Sequence, residues 1–423
     1  MNSAPHPHGL ASIHSAGSHA GRSLATHRAA VLELLAPLRS AGRTEQVALL
    51  AALGRGLAQD VMAPVSLPPF ANSQMDGFAV NSADIPDGGA ELRAGPPVPA
   101  GATPGPLEPG TAAPIMTGAM LPAGADAVVP VERAVPDRFP LPAAGNEENR
   151  VWLPGTASGT FVRSAGSDVP AGERALAAGT FLGPAQLGLL AGLGIVEVTV
   201  HKPLTVLLVT TGDEVVEPGQ PLPAGKIYDS NGTLLESAMR QAGLDVVRTG
   251  ISTDSPEELR DLLRAHAPAV DLIVTTGGVS MGAYEVVRQT LEGQGAEFLH
   301  VAMQPGGPQG IGNFEGVPFL GFPGNPVSCL VSFEMFLRPV LAELFGSPAP
   351  RTPVRARLAQ GLTSPGHKHQ VRRGSLQADG TVRLEGGESS HLMHALAGSN
   401  ALVHVPEGVS ALADGDEVEV WML

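Results

Sequence analysis

With 423 residues and a formal net charge of -15 at pH 7, the chain is long enough for several domains, each with its own core. It is too acidic to offer the basic stripe that nucleic acid or an anionic membrane surface requires. Its single cysteine, Cys329, excludes an intrachain disulfide framework and a cysteine-based metal site, and fits a cytoplasmic setting. No segment has the uninterrupted apolar length of a membrane span, and residues 1–27 lack the apolar core of a signal peptide.

The first 26 residues carry His6, His8, His14 and His19 among Gly, Ser, Ala and Pro. They read as a disordered extension, because no scaffold fixes the imidazoles as ligands. From residue 26 to 57, apolar positions at Val31, Leu34, Leu35 and Leu38, then Val47, Leu49, Leu50 and Leu53, predict two helices divided by Pro37 and Gly42. Beyond Pro64 the chain becomes rich in Pro and Gly with short strand-like runs, predicting a loop-rich β region over residues 71–162. Strand and short helix then alternate again to residue 200. The β region therefore reads as an insertion into a mixed domain formed by residues 27–70 and 163–200.

Residues 201–346 read as an α/β domain. Ser255-Pro256-Glu257-Glu258 is a capping box with Pro at the first helical position, ahead of the apolar stripe Leu259, Leu262 and Leu263. Asp229-Ser230-Asn231 marks a second capped start. Asn325-Pro326 opens an apolar helix expected to end near Gly346 and to bend at Pro339; within it Cys329 reads as a small buried hydrophobe. After Pro348 and Pro350, short strands at 382–384, 401–405 and 417–421 predict a separate C-terminal β domain, residues 347–423, of the barrel or sandwich kind.

Three apolar, β-branched runs in the α/β region end in loops of Gly, Thr, Ser, Asn and Pro: Thr210-Thr211-Gly212-Asp213-Glu214, Thr275-Thr276-Gly277-Gly278-Val279-Ser280 and Phe322-Pro323-Gly324-Asn325-Pro326-Val327-Ser328. Parallel strands bind ligands at their carboxyl ends, where these loops fall. The first loop offers backbone amides beside Asp213 and Glu214, a combination suited to phosphate with a divalent cation such as Mg²⁺. Asp229, Asp254 and Glu285 bring further acids to the same sheet edge. Neither a P-loop nor a G-x-S-x-G elbow is present, which disfavours P-loop phosphoryl transfer and serine hydrolysis.

These loops, together with the segment from Asn72 through Asp76 to Val80, Ile115-Met116-Thr117-Gly118-Ala119, the run from Gly124 to Val129, and Ser390-His391, resemble the molybdopterin molybdenumtransferase family, the molybdenum insertases. The resemblance covers essentially everything after residue 26, in order. It implies a homodimer whose subunits each have a three-layer α/β molybdopterin-binding domain, a mixed dimer-forming domain carrying a small inserted β domain, and a C-terminal barrel-like β domain. The activity it implies is transfer of molybdate into adenylyl-molybdopterin with Mg²⁺ and release of AMP, with transient contact to other molybdenum-cofactor enzymes. Carried over, Asp76 and Thr117 face the cleft from the partner's inserted domain. Glu214, Asp254 and Glu285 are the acids of the α/β domain, and Asp213 with these three forms the implied metal set. Thr211, Gly212, Asp229, Gly277, Gly278, Ser280, Pro323, Gly324, Asn325, Pro326 and Ser328 bind the substrate. Arg372, or its neighbour Arg373, and Ser390 resemble the oxyanion-binding pair.

The chain departs from the family's pattern at Gln304-Pro305-Gly306-Gly307-Pro308, where two lysines are common, at Ala283 for a frequent Asp, and at Pro114 for an Arg. Missing lysines at a site for two anions should weaken binding unless His300, Arg372 or a partner residue compensates, and leave tungstate open beside molybdate. Two alternatives share the α/β loops: a molybdopterin adenylyltransferase and a non-enzymatic scaffold. The Asn72 to Val80 segment and the C-terminal domain favour the insertase.

Overall fold

Continuous apolar runs do form the centre of a parallel sheet. The structure is a computed structural model that describes residues 21–40, 42–140, 149–249, 255–280 and 285–423. Two compact units divide it: residues up to Arg43 together with Lys202–Leu423, and Thr44–His201.

In the first unit a six-stranded sheet runs in the order Asp245–Arg248, Thr205–Thr210, Leu272–Thr276, Val317–Phe322, Pro308–Phe314 and Ala296–His300. The first four strands are parallel, Pro308–Phe314 runs antiparallel to them, and Ala296–His300, antiparallel to Pro308–Phe314, runs in their direction again. Side chains alternate between its faces. Val206, Leu208, Leu272, Val274, Leu320 and Phe322 pack against Leu235 and Met239 of helix Ser230–Gln241 and against the helix beginning at Pro326. Leu207, Val209, Ile273 and Phe319 pack against Leu259 and Leu263 of helix Pro256–His266 and against Val286, Val287 and Leu291. Asp229 and Ser255 cap their helices as expected, accepting from Gly232 N–H and Glu258 N–H.

Three expectations change. Helix Leu24–Ser40 runs through Pro37, and its Val31 and Leu35 are wholly buried in the core on one face of this sheet. Residues 27–40 therefore belong with the α/β unit rather than with the mixed domain. Burying two such side chains is worth about 1.5–3 kcal/mol each, more than any local propensity can offset. The second helix is absent: Thr44–Ala48 is a strand paired antiparallel with Glu197–His201, Val47 opposite Val198, followed by the 3₁₀ turn Leu49–Ala52. Third, the helix from Pro326 is interrupted before Pro339 by a π-helical turn, Phe333–Leu337, and ends at Gly346 in the left-handed region (φ 67°). Pro339 lacks the N–H for the helical bond and its ring crowds the carbonyl four residues earlier, which widens that turn.

The C-terminal strands close on themselves. His369–Leu376, Thr381–Leu384, Pro353–Leu358, Glu417–Met422 and Ala401–Val405 follow one another, and the last pairs back with the first. The barrel interior holds Ala356, Leu358, Val382, Val403 and Val420. A two-residue strand from the α/β chain, Met303–Gln304, pairs parallel with His369–Gln370 and joins this sheet. Among the described residues no helix is long and apolar enough to cross a membrane.

In the second unit a five-stranded sheet runs Ala127–Pro130, Gly77–Val80, Thr111–Ile115, Ala90–Ala94 and Arg150–Leu153. A Cβ at Gly77 would collide with the Val129 carbonyl oxygen, so the residue after Asp76 has to be glycine for the strands to meet. Helix Pro184–Gly192 supplies Leu187 and Leu190 to a separate small core with Leu57, Leu182, Val198 and Val200.

One buried threonine ties the strand-end loops of the sheet together. Thr276, with no exposure, donates from Oγ1 to the Pro323 carbonyl at 3.2 Å and accepts from Asn231 Nδ2 at 3.2 Å. Asn231 Nδ2 also donates to the Gly324 carbonyl at 2.5 Å, and Thr211 N–H to the Thr276 carbonyl at 3.1 Å. Thr276→Val keeps the shape but strands the Pro323 carbonyl, and is expected to lower stability by about 1–3 kcal/mol in denaturant titrations.

His27, on the first helix, meets the Phe336 ring edge-on with centroids 4.6 Å apart. Burial, and then the nearby Arg22, lower its pKa from 6.5 to about 4. Between those values the unfolded chain binds a proton that the folded chain refuses, so stability falls as pH drops from 6.5 towards 4. His27→Phe is expected to flatten the dependence of the thermal midpoint on pH across that window.

Candidate functional site

At the carboxyl ends of the three central strands lies a cavity of about 1080 Å³. Thr211 and Gly212 of the first loop, Gly277, Gly278 and Ser280 of the second, and Pro323, Gly324, Asn325, Pro326 and Ser328 of the third all line it. Gly277 and Gly278 have φ of 89° and 66°, conformations that other residues adopt only under strain. A Cβ on Gly278 would also press on Val287. These glycines bring backbone close to whatever occupies the space.

The opposite wall comes from the barrel. Glu388, Ser389, Ser390 and His391 line the same cavity, and Val327 N–H donates to the Ser390 carbonyl at 3.0 Å. That bond fixes the barrel loop to the helix that begins at Pro326. Arg372 lies behind the wall, 9 % exposed, with Nη1 3.5 Å from Glu388 Oε1. Burial lowers its pKa, and Glu388 opposes that shift. Arg373 is also buried and donates to the Gly387 carbonyl. Of the two, Arg372 is the one whose charged partner faces the cavity.

The acids divide into distinct groups. Glu214 and Glu285 line the cavity. Asp229 lines it too, but its carboxylate is committed: Oδ1 accepts from Gly232 N–H at 2.8 Å and Oδ2 from Arg248 at 2.7 Å. It is a capping and ion-paired residue, which removes it from free ligand-binding acids. Asp213 is not among the lining residues; its backbone carbonyl accepts from Lys226. Asp254, like Ala283, lies outside the described residues. Among the described residues no three His, Cys, Asp or Glu side chains gather as a ready-made metal site, and among the described lining residues there is no Lys or Arg.

In the second unit Asp76 and Thr117 meet. Asp76 Oδ1 accepts from Thr117 N–H at 2.7 Å and from its hydroxyl at 2.8 Å. These bonds, backbone first and hydroxyl second, lower the Asp76 pKa and keep the exposed carboxylate ionised. Ser73 fixes both loops, its carbonyl accepting from Gly118 N–H and its N–H donating to the Ala119 carbonyl.

Three lining residues carry more weight than their sequence context suggested. Asn231 is read from sequence only as part of a helix start, yet it bridges the second and third loops. Glu388 sits two positions before Ser390, a signal present in the sequence. Gln304 marks a lost lysine in the sequence; in the fold it lines the cavity and accepts from Gln370 Nε2 at 3.1 Å.

Three stretches of the chain match known protein families. Residues 22–194 match the MoeA N-terminal region (domain I and II), residues 207–343 the "probable molybdopterin binding domain", and residues 355–423 the MoeA C-terminal region (domain IV). Molybdopterin molybdenumtransferase 2 of Mycobacterium tuberculosis is 42% identical over 416 residues, spanning 95% of this chain and 100% of that protein. A molybdopterin molybdenumtransferase of Nostoc sp. is 36% identical, spanning 93% and 92%. The crystal structure of a molybdopterin biosynthesis moeA protein from Pyrococcus horikoshii OT3 superposes with a TM-score of 0.81 at 25% identity, covering 95% of this chain and 100% of that one. In sequence and in fold, over nearly its full length, the chain belongs to the molybdopterin molybdenumtransferase family.

Proposed function

We propose that the chain transfers molybdenum from molybdate to adenylyl-molybdopterin, forming molybdenum cofactor and releasing AMP. The observation that carries this is the cavity of about 1080 Å³, walled by three strand-end loops and by the barrel's Glu388 to His391 loop. Its size suits a ligand larger than one phosphate group, and the relatives named molybdopterin molybdenumtransferase support transfer of molybdenum to molybdopterin.

Molybdate and an adenylylated phosphate repel each other, so the protein's task is to neutralise both and align them, gaining through proximity and preorganised electrostatics. Arg372 and Ser390 are assigned to the oxyanion, the guanidinium supplying charge from behind the wall and the hydroxyl a directed donor. The glycines at 277 and 278 let backbone approach the phosphate or pterin closely, and Pro323 and Pro326 keep the third loop rigid. Asp76, held ionised by Thr117, is assigned to the same ligand from a second copy of the chain in a homodimer. A cytoplasmic setting fits this role. No covalent enzyme intermediate is expected.

Glu214 and Glu285 offer carboxylate oxygens on one cavity, which fits Mg²⁺, an ion that takes one or two carboxylates together with phosphate oxygens and retained waters rather than a dedicated protein cage. Bound there, it would polarise the phosphoanhydride as a Lewis acid. The two glutamates would orient it against the loop glycines.

Purified protein is expected to release AMP from adenylyl-molybdopterin on addition of molybdate and Mg²⁺, and chelation is expected to stop the release until Mg²⁺ is restored. Absence of molybdate-dependent AMP would refute the assignment, and ATP-dependent adenylylation of free molybdopterin would replace it with the adenylyltransferase. Asp76→Asn is expected to slow AMP release by about 10²–10³-fold with an unchanged thermal midpoint and oligomeric state. A variant that unfolds or dissociates would make Asp76 structural.

A further inference from the structure

The cavity carries Glu214, Glu285 and Glu388 and, among its described lining residues, no lysine or arginine. An anionic group brought there has to be met in part by neutral donors. Gln304 is one such residue: it lines the cavity, and its Oε1 accepts from Gln370 Nε2 at 3.1 Å. The two are register partners, joined by the short pairing of Met303–Gln304 with the barrel strand His369–Leu376. Gln370 has 0% exposure, and its Oε1 has no hydrogen-bond partner.

A buried amide oxygen without a donor is something folded cores avoid, and each instance asks for a reason. Turning both amides over would only exchange the orphan, leaving Gln370 NH₂ unmatched, and would aim the Gln304 oxygen at a cavity already bearing carboxylates. An anion accepts hydrogen bonds and donates none, so only the observed orientation is complementary to one. The segment is also held in place, because the wholly buried Gln309 donates from Nε2 to the Gly306 carbonyl and to Ser332 Oγ, both at 2.7 Å.

We propose that Gln304 binds the ligand, donating its amide N–H to an oxygen of a tetrahedral anion, and that Gln370 is a positioning residue that keeps this donor facing the cavity. The anion is either the free oxyanion or a phosphate monoester, an identity that rests on the functional reading above. A neutral donor selects by direction and by the number of bonds it makes rather than by charge. Its contribution is accordingly little screened by salt.

The test is calorimetric titration of the full chain with sodium molybdate and, separately, with AMP as the phosphate monoester, each in the wild type, Gln304→Met, Gln370→Met and the double variant. Methionine keeps the length and removes the polar ends. Gln304→Met is expected to weaken one of the two anions about tenfold, and which one weakens identifies the source of the anion. Gln370→Met is expected to weaken the same anion and to add nothing in the Gln304→Met background, since it acts through that residue. Wild-type affinity for both anions in Gln304→Met, or full additivity of the two changes, overturns the proposal. Should Gln370→Met fail to fold, Gln304→Glu decides: it exchanges the donor for an acceptor, must bind more weakly still, and overturns the proposal if it matches the wild type. Wild-type protein that binds neither anion sinks the functional reading and this inference together, whereas anion binding indifferent to Gln304 sinks the inference alone.

Discussion

Everything at the cavity depends on how the backbone leaves the central strand. Thr276 ends that strand, fully buried, and its single hydroxyl serves Pro323 and Asn231 at once. A hydroxyl is the smallest group that can donate and accept in different directions; here it joins the second and third loops, and the Thr276 carbonyl, accepting from Thr211 N–H, adds the first. The loops carry six glycines and prolines from Gly212 to Pro326, residues that without such ties would leave the chain free to take many paths. Buried hydrogen bonds hold open a space that packing alone would close.

The second constraint is charge. A chain with a net charge of -15 handles anions at a cavity whose lining acids include Glu214, Glu285 and Glu388. Long-range attraction therefore cannot gather an anionic ligand, and what the cavity offers in its place is short-range: backbone N–H groups, hydroxyls and amides on its lining, with the Arg372 guanidinium beside Glu388. Contacts inside a walled cavity are also stronger than those in open water. The two features are linked, because rigid loops are what keep short-range donors correctly aimed.

The sequence carried the α/β sheet clearly. Buried parallel strands produce unbroken apolar runs, and the glycines at 277 and 278 and the caps Asp229 and Ser255 are local signals that the fold obeys. What could not be read were relations set by distant partners. Val47, Leu49, Leu50 and Leu53 have helical spacing, yet pairing with Glu197–His201 draws the first of them into a strand and leaves Leu50 87% exposed. Asp229 has the appearance of a free acid until Arg248, nineteen residues on, closes on it. Gln304 and Gln370 become neighbours only through sheet register, and Asp76 and Thr117 were joined in advance only by resemblance.

The short strand Met303–Gln304 leaves the α/β sheet's own chain and lends itself to the C-terminal barrel. The two folds are therefore sewn together at a point that is neither terminus nor linker. Cutting the chain after Phe345 would remove the barrel but leave that stitch behind, an unpaired edge beside a half-built cavity. The C-terminal fold is for this reason not a detachable cassette: it cannot be exchanged for another barrel without rewriting residues some forty positions upstream of where it begins.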